Sequence, residues 1–454
     1  MSPGLLGNEG ERYQRPRGPD GAPGVTLDSP HSVVPTWTLG FRRTSTGHPD
    51  EDAGRRESGQ VRRTAAMIAA GALLFLAGCS GDDAGGSQQQ EEKAAEAPAA
   101  ELTLAVADGS TDVSPVVPLE VAVTGGELAD VSVVEGGGAE VAGKLADGEA
   151  EGSQIWTPET PLSYGTSYTL TATATNAADE ETTASSTFTT VNPSAVSTPS
   201  IGPLDGMTVG VGLPIRVFFD DPVADKAAVE SHLFVTSSNP TDGAWSWLND
   251  SEVHFRPSQY WPPNTEVTLD AKLYGVNFGD GIWGEKNRTV SFSIGAKHVS
   301  VADAGTYTLT VFEGDQVVQT FPMSAGNGEN PTRNGPHVVT EMNRSMVMDS
   351  STFGLAVDAP GGYRSDVEFA VRISNNGEFV HAAPWSVGSQ GSANVSHGCI
   401  NLSTDRAAWF FSFSQPGDVV EVKNSIGPML SAADGDIYDW AIPWEEWQAG
   451  SALK

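Results

Sequence analysis

Residues 166–170 read TSYTL and residues 265–269 read TEVTL. In both stretches every second residue is apolar, which is typical of a β-strand with one buried face. The stretches start 99 residues apart. Before each of them, at the same distance, stands an aromatic residue with a proline two positions later, namely WTP at 156–158 and FRP at 255–257. This repeat predicts two consecutive antiparallel β-sandwiches.

The period of the repeat sets the expected domain limits. A period near 100 residues is the size of an immunoglobulin-like domain, so we expect such domains at 101–195 and 196–296. Gly and Pro are abundant, with 51 and 29 of the 454 residues, and long amphipathic helical patterns are scarce. This composition favours a mainly β chain of short strands joined by turns. Neither repeat contains a cysteine, so each core must hold by packing alone. We interpret both repeats as spacers, with adhesive or ligand-binding modules as the alternative.

The charge of the chain limits its partners. It has 25 basic and 58 acidic residues, a formal net charge of −33. Such a surface repels phosphate backbones, so nucleic acid is not expected as a partner. The same charge opposes adsorption to anionic lipid, so attachment to a membrane would require a covalent anchor.

A short apolar run lies near the N-terminus. It covers 14 residues, 65–78, follows a pair of arginines and ends at Cys79. A membrane-spanning helix needs about 20 residues, so the run has the length of a signal-peptide core. Its end, LAGC, resembles a bacterial lipobox, in which the cysteine is acylated and the chain is cut before it. We therefore predict a lipoprotein signal at 61–79, with a palmitate-bearing anchor on Cys79.

The segments on either side of this signal are polar. Residues 1–60 are rich in Pro, Gly and Arg, and we predict that they are disordered or are an extension caused by a misassigned start, with translation beginning at Val61. Residues 80–100 are of low complexity and are predicted to form a flexible tether.

The candidate chemistry lies at 381–401, which reads HAAPWSVGSQGSANVSHGCIN. Cys399 is the second of only two cysteines. A cysteine nucleophile needs a lowered pKa or an adjacent base. In extended chain His397 would share a face with Cys399, and His381 could approach from a neighbouring strand. Gly398 would let a substrate carbonyl come close and would leave backbone N–H groups free to bind an oxyanion.

Residue chemistry alone leaves two alternatives open. Free cysteine is among the most frequently buried residue types, so Cys399 could be an inert core residue. Alternatively, His381, His397 and Cys399 could bind zinc as three ligands with one open position.

The sequence SHGCIN at 396–401 resembles the S-H-G-C-hydrophobic-N signature of L,D-transpeptidases with a YkuD-type catalytic domain. The similarity extends upstream through the histidine and tryptophan of HAAPW at 381–385, GYR at 362–364 and MDS at 348–350. Downstream it includes the tryptophan-rich end at 440–447.

The form that the chain resembles is the actinobacterial lipoprotein with two immunoglobulin-like domains and a small C-terminal subdomain. The resemblance implies a β-rich YkuD-type catalytic domain at 297–424 and a tryptophan-rich C-terminal subdomain at 425–454. We expect Trp440, Trp444 and Trp447 to pack this subdomain onto the catalytic domain.

The resemblance also implies roles for individual residues. Cys399 would be the nucleophile, and His381 the general base, oriented by the main-chain carbonyl of Ala382. The N–H groups of Gly398 and Cys399 and the hydroxyl of Tyr363 would face the oxyanion.

Further residues are implied to line or support the site. Phe353 stands where relatives commonly have tyrosine in a substrate-covering loop, so any hydroxyl contact made there is lost. Trp385 would line the pocket or serve a structural role. The full set is His397, Met348, Phe353, Trp385, Ser396 and Asn401.

The implied reaction is an acyl transfer between peptidoglycan stem peptides. The thiolate would attack the carbonyl at the L-centre of the third residue of a donor tetrapeptide, release the terminal D-alanine and form a thioester on Cys399. A side-chain amine of an acceptor stem would resolve it into a 3→3 cross-link. No metal or organic cofactor is implied, and acylation by carbapenems is expected.

The implied location is outside the cytoplasm, on the outer face of the cell membrane and reaching into the wall, with a part in cell wall biogenesis and cell shape. Two alternatives are kept. One is a cysteine endopeptidase or carboxypeptidase, in which water resolves the thioester. The other is a non-enzymatic immunoglobulin-like lipoprotein that binds the cell wall, in which Cys399 would be unreactive.

Overall fold

The computed structural model describes residues 98–453, apart from positions 151, 355 and 436. The predictions for 1–60, for the lipoprotein signal with Cys79 and for residues 80–97 of the tether lie outside the described residues. Strands predominate in the described part. None of the helices there is long and apolar enough to cross a membrane.

Among the described residues, the first β-sandwich has eight strands. They are β1 (Glu101–Leu104), β2 (Ser110–Val113), β3 (Leu119–Thr124), β4 (Glu127–Glu135), β5 (Gly143–Asp147), β6 (Ser153–Pro158), β7 (Ser167–Thr175) and β8 (Glu181–Thr190). Two four-stranded sheets, of order β1-β3-β6-β5 and β2-β8-β7-β4, share one core. Leu119 and Trp156 reach that core from one sheet, and Leu170 and Phe188 from the other.

The second sandwich repeats this arrangement. Its elements are β9 (Ala195–Ser197), β10 (Ser200–Gly202), β11 (Thr208–Val209), β12 (Ile215–Phe218), α1 (Lys226–Glu230), β13 (Leu233–Ser237), β14 (Gly243–Trp247), β15 (Glu252–Pro257), β16 (Glu266–Ala271), β17 (Asn277–Gly279), β18 (Ile282–Gly284) and β19 (Arg288–Ile294). The two main sheets have the orders β10-β12-β15-β14 and β11-β19-β16-β13, and a small third sheet has the order β17-β18-β9.

The sequence repeat corresponds to equivalent core positions. Trp156 and Phe255 are both buried, as are Leu170 and Leu269, so the recurring residues are those that fill the space between the two sheets. The predicted fold class, two immunoglobulin-like sandwiches before a β-rich domain, is confirmed. The exact domain limits stay predictions.

The C-terminal domain combines two sheets and one helix. Its elements are β20 (His298–Asp303), β21 (Thr308–Glu313), β22 (Gln316–Pro322), β23 (Gly335–Val338), β24 (Glu341–Asp349), β25 (Arg364–Arg372), β26 (Phe379–Ala382), β27 (Ile400–Leu402), α2 (Thr404–Phe413) and β28 (Val419–Lys423), with 3₁₀ turns at Ser350–Phe353 and Pro384–Ser386. The sheets have the orders β22-β21-β20-β28-β23 and β24-β25-β26-β27. Ala407 and Phe410 of α2 are buried in the core that both sheets share.

The C-terminal tail contacts the second sandwich. The tail consists of 3₁₀ turns at Ala432–Asp434 and Asp439–Ala441 and of helix α3 (Trp444–Ala449). The rings of Trp440, Trp444 and Trp447 lie 4.9, 5.1 and 4.6 Å from the guanidinium carbon of Arg256 in β15. Trp447 also donates from its indole N–H to the carbonyl of Ala244 at 2.9 Å. The prediction that these tryptophans pack on the catalytic domain therefore holds only in part. A buried arginine of the second sandwich is the common partner of all three, whereas Trp440 also packs against a core cluster that includes Val338 and Val419 of the catalytic domain.

Candidate active site

Parallel pairing of β26 with β27 brings the candidate base and nucleophile together. In the register of this pair His381 lies opposite Asn401, and Cys399 directly precedes β27. The two residues are 18 positions apart in the chain. The pairing thus joins the two ends of the stretch that carries the candidate chemistry.

The thiol of Cys399 is buried, with 6% of the residue exposed. Its Sγ donates to the carbonyl of Gly377 at 3.5 Å, and its side chain packs in a small apolar cluster with Met348 and Phe379. Burial raises the pKa of the Cys399 thiol to about 12, against a smaller lowering by the backbone of Phe379. The thiol is therefore protonated at neutral pH, so a reaction at sulfur requires a base to remove the proton.

The ring of His381 has the protonation state that a base needs. Its Nδ1 donates to the carbonyl of Ala382 at 2.9 Å, which is the contact that the resemblance predicts. Because Nδ1 faces an acceptor and carries the hydrogen, Nε2 holds the lone pair in the neutral ring. Burial lowers the pKa of His381, although Ala382 and Asn401 oppose this, so the ring is neutral at pH 7.

His397 is placed differently from the strand-based prediction. It is exposed, whereas Cys399 is buried, and β27 begins only at Ile400. Gly398 has φ +121°, a conformation that side-chain-bearing residues rarely adopt, and it bends the chain between the histidine and the cysteine. The expectation that His397 and Cys399 share a strand face is therefore wrong. The ring of His397 instead lies 5.2 Å from that of Tyr363.

The groups expected at the oxyanion are only partly available. The Gly398 amide donates to Ser396 Oγ at 3.1 Å, and the same hydroxyl donates to the Cys399 carbonyl at 2.5 Å. Binding of an oxyanion by the Gly398 amide would require this bond to break. Burial raises the pKa of Tyr363 to about 12, with a further contribution from the neighbouring thiol.

A cleft of about 280 Å³ brings most of the predicted residues together. Among the predicted residues, Ala382 and Gly398 are buried and do not line the cleft, and Ala382 contributes only its carbonyl. Trp385 is 62% exposed at the rim. The side chain of Phe353, like Cys79, lies outside what the structure describes. The lining residues are Met348, Tyr363, Ser365, Val367, His381, Trp385, Ser386, Val395, Ser396, His397, Cys399 and Asn401.

Several polar residues around the cleft were not predicted from the sequence. One is Ser386, whose Oγ accepts from the side-chain amide of the predicted Asn401 at 3.1 Å, a bond that ties β27 to the turn after β26. Behind the nucleophile, Glu378 and His337 form a buried pair 3.1 Å apart. Because His337 is 41 residues before Glu378, neither residue had a sequence signal that linked it to the other.

The described part of the chain does not arrange the candidate zinc ligands as a metal site. Across residues 98–453, with the gaps given above, no set of three or more His, Cys, Asp or Glu side chains is arranged to hold a metal ion. The three residues considered, His381, His397 and Cys399, line one cleft but form no such set.

Comparison with known proteins places these features in families. Residues 110–277 match the bacterial Ig domain family, and residues 297–422 match the L,D-transpeptidase catalytic domain family, YkuD. L,D-transpeptidase 2 of Mycobacterium tuberculosis (strain CDC 1551 / Oshkosh) is 42% identical over 352 residues, which cover 78% of this chain and 85% of that protein. L,D-transpeptidase 5 of Mycobacterium tuberculosis (strain ATCC 25618 / H37Rv) is 41% identical over 363 residues, 78% of each.

Among solved structures, the LD transpeptidase LdtMt1 in complex with imipenem is 39% identical and covers 51% of this chain and 100% of that one, with a TM-score of 0.45. The identity to the two curated relatives extends over 85% and 78% of their length. The chain therefore belongs to the L,D-transpeptidase family.

Proposed function

We propose that this chain is a peptidoglycan L,D-transpeptidase that uses Cys399 as its nucleophile and forms 3→3 cross-links. One observation carries the proposal. A protonated, buried thiol shares a cleft with a histidine whose Nδ1 is fixed on a carbonyl, so that its Nε2 can accept a proton. This is the pairing of thiol and oriented base that nucleophilic catalysis by cysteine requires.

The first half-reaction forms a thioester. His381 Nε2 takes the proton of Cys399, and the sulfur attacks the carbonyl carbon at the L-centre of the third residue of a donor tetrapeptide stem. The C–N bond to the terminal D-alanine breaks, its electron pair stays on nitrogen, and the imidazolium returns the proton to that amine. D-Alanine leaves, and the acyl group stays on sulfur.

The second half-reaction transfers the acyl group. The side-chain amine of an acceptor stem attacks the thioester carbon and gives a proton to His381. Sulfur leaves as a thiolate and is then reprotonated by the imidazolium. The new amide joins the third residues of two stems, which is a 3→3 cross-link.

Negative charge that develops on the substrate carbonyl oxygen needs hydrogen-bond donors. We assign this role to the Cys399 N–H and the Tyr363 hydroxyl, which the raised pKa of Tyr363 keeps protonated at neutral pH. Met348, Trp385 and Asn401, which line the cleft, would contact the donor stem.

We also propose that the chain works outside the cytoplasm, held to the outer face of the cell membrane by a lipid on Cys79, and that its cross-links contribute to cell wall biogenesis and cell shape. The support is the lipobox-like sequence before the polar tether. The two sandwiches would then act as spacers that carry the cleft toward the wall.

Product analysis tests the function. The chain is incubated with a disaccharide-tetrapeptide from peptidoglycan, and the products are separated and sequenced by mass spectrometry. We expect free D-alanine and a dimer joined between third residues, and neither with Cys399→Ala. Tripeptide without dimer would indicate a hydrolase. No turnover and no acyl-enzyme would favour a binding lipoprotein.

A further inference from the structure

A buried acid–histidine pair lies behind the segment that carries Cys399. Glu378 is 4% exposed and His337 is fully buried. Glu378 Oε2 lies 3.1 Å from His337 Nε2, and Glu378 Oε1 accepts from the backbone N–H of Arg333 at 2.8 Å. The proposed reaction uses neither side chain. A buried carboxylate is costly unless it is paired, so its position calls for an explanation.

Glu378 is placed to hold the backbone that contacts the thiol. It lies between Gly377, whose carbonyl accepts from Cys399 Sγ at 3.5 Å, and Phe379, whose backbone also interacts with the thiol. On its other side, Glu378 Cγ packs against Gly398, where an added Cβ would lie 3.6 Å away. Anchoring of this carboxylate therefore fixes both the thiol's contacts and the bend before it.

One dipeptide connects Glu378 to the nucleophile segment. The hydroxyl of Thr332 donates to the Gly398 carbonyl at 2.7 Å, and the amide of the next residue, Arg333, holds Glu378. The guanidinium of Arg333 pairs with Asp434 at 2.8 Å, so it neutralises a different carboxylate. Neutralisation of Glu378 is therefore left to its histidine partner, His337.

The hydrogen bonds of His337 determine the charge of the pair. Its Nδ1 donates to the carbonyl of Gly335 at 3.0 Å, and its Nε2 faces the carboxylate. Both ring nitrogens face acceptors, so one further proton must lie between His337 and Glu378. A proton held between the two groups satisfies both of them and compensates the charge of the carboxylate.

The charged side chain of Arg372 also faces this region. The guanidinium of Arg372 lies 4.3 Å from the ring of Phe379 and donates to Glu341 at 2.7 Å. Burial is the largest cause of the raised pKa of Cys399, the charge of Glu378 adds to it, and Arg372 opposes it. The ionisation of the thiol is therefore sensitive to how completely Glu378 is neutralised.

We propose that Glu378, neutralised by His337, is a positioning residue for Cys399, and that the loss of either partner changes how readily the thiol ionises. The inference rests on the proposed function only in treating Cys399 as the nucleophile. It assigns Glu378 no contact with substrate.

The test measures the thiol without any peptidoglycan substrate. The full chain and its variants are treated with iodoacetamide or with the larger neutral reagent N-ethylmaleimide across a pH series. Modification of the Cys399 peptide is followed by mass spectrometry, so a failure of transpeptidation does not affect the readout. Glu378→Gln replaces the carboxylate with an uncharged group of the same shape. His337→Gln keeps a donor to the carboxylate but cannot hold the shared proton.

The two variants should shift the reaction in opposite directions. At a fixed pH below the thiol midpoint, we expect Glu378→Gln to react at least about threefold faster and His337→Gln at least about threefold slower than the wild type, with the same factor for both reagents. The control is Glu230→Gln, a buried glutamate of the second sandwich that accepts from Trp247 Nε1 at 2.9 Å. It should leave the rate unchanged.

Three results would overturn the proposal. The first is an unchanged modification rate in both variants, and the second is a change in the same direction in both. The third is a rate change that differs between the two reagents, because that would indicate altered access to the thiol and not an altered charge. If Glu378→Gln does not fold, His337→Gln decides alone. A slower reaction supports the proposal, and a wild-type rate refutes it.

Discussion

Replacement of Arg256 by methionine should release the C-terminal tail from the second sandwich. The guanidinium is surrounded by three tryptophan rings and donates to the carbonyls of Ile442 at 2.8 Å and Pro257 at 3.1 Å. Arg256 is 2% exposed, and burial lowers its pKa to about 10, so it stays charged at neutral pH. Methionine keeps the apolar stem but loses the charge and both hydrogen bonds.

The expected magnitude follows from these contacts. A desolvated cation over an aromatic ring contributes about 0.5–2 kcal/mol, and a hydrogen bond from a charged donor about 1.5–3 kcal/mol. Relief of the burial of the charge offsets part of the loss, so we expect the free energy of unfolding to fall by about 3 kcal/mol. For a cooperative unit of about 150–250 residues, this corresponds to a melting temperature lower by about 6–12 °C.

Urea denaturation and limited proteolysis measure the two consequences, lower stability and an exposed tail. The control is Lys144→Met, which removes an exposed ion pair with Glu159 at 3.2 Å and should change stability by less than about 1 kcal/mol. If Arg256→Met unfolded within about 0.5 kcal/mol of the wild type and its tail stayed protected, the arginine would not be the anchor of the tail.

Three further predictions concern the histidines and the N-terminal cysteine. His381→Ala should slow acylation by a carbapenem at least as much as His397→Ala, because only the buried histidine is placed to take the thiol proton. A fully active His381→Ala variant together with an inactive His397→Ala variant would show that His397, and not His381, is the base. Burial lowers the pKa of His254, but Asp439, at 2.8 Å, and a second carboxylate outweigh it and raise that pKa above the usual value. The stabilisation is therefore complete below about pH 6.5 and is lost as the pH rises through the raised pKa. Urea unfolding between about pH 6 and 9 should show this loss in the wild type but not in His254→Gln. Cys79→Ala should block lipid labelling and leave an uncleaved precursor, whereas unchanged labelling would place the anchor elsewhere.

The sandwiches could be predicted because their information is local and repeated. Alternation at period two marks the buried face of each strand, and the residues that recur between the two copies are core residues such as Leu170 and Leu269. The candidate nucleophile and its flanking motif could also be found from a short segment. The base could be assigned only through the family resemblance.

What could not be predicted depends on contacts between distant segments. The β26–β27 pairing sets His381 beside the nucleophile segment, and no spacing rule gives a parallel register across a loop. The bend at Gly398, which separates His397 from Cys399, looks like strand in the sequence. The tryptophans of the tail show apolar periodicity, but the partner that decides their position, Arg256, lies far upstream.

The intact mass of the full chain after incubation with imipenem tests the central claim, that Cys399 is a base-activated nucleophile, most directly. The strained acyl group of the drug can be attacked by a thiolate in the same way as the donor carbonyl. We expect one added drug mass, confined to the peptide that contains Cys399, and the same adduct in the presence of a chelator. The adduct should be absent in Cys399→Ala and retained in Cys79→Ala. A folded sample that took up no imipenem, or took it up only with added metal, would contradict the account.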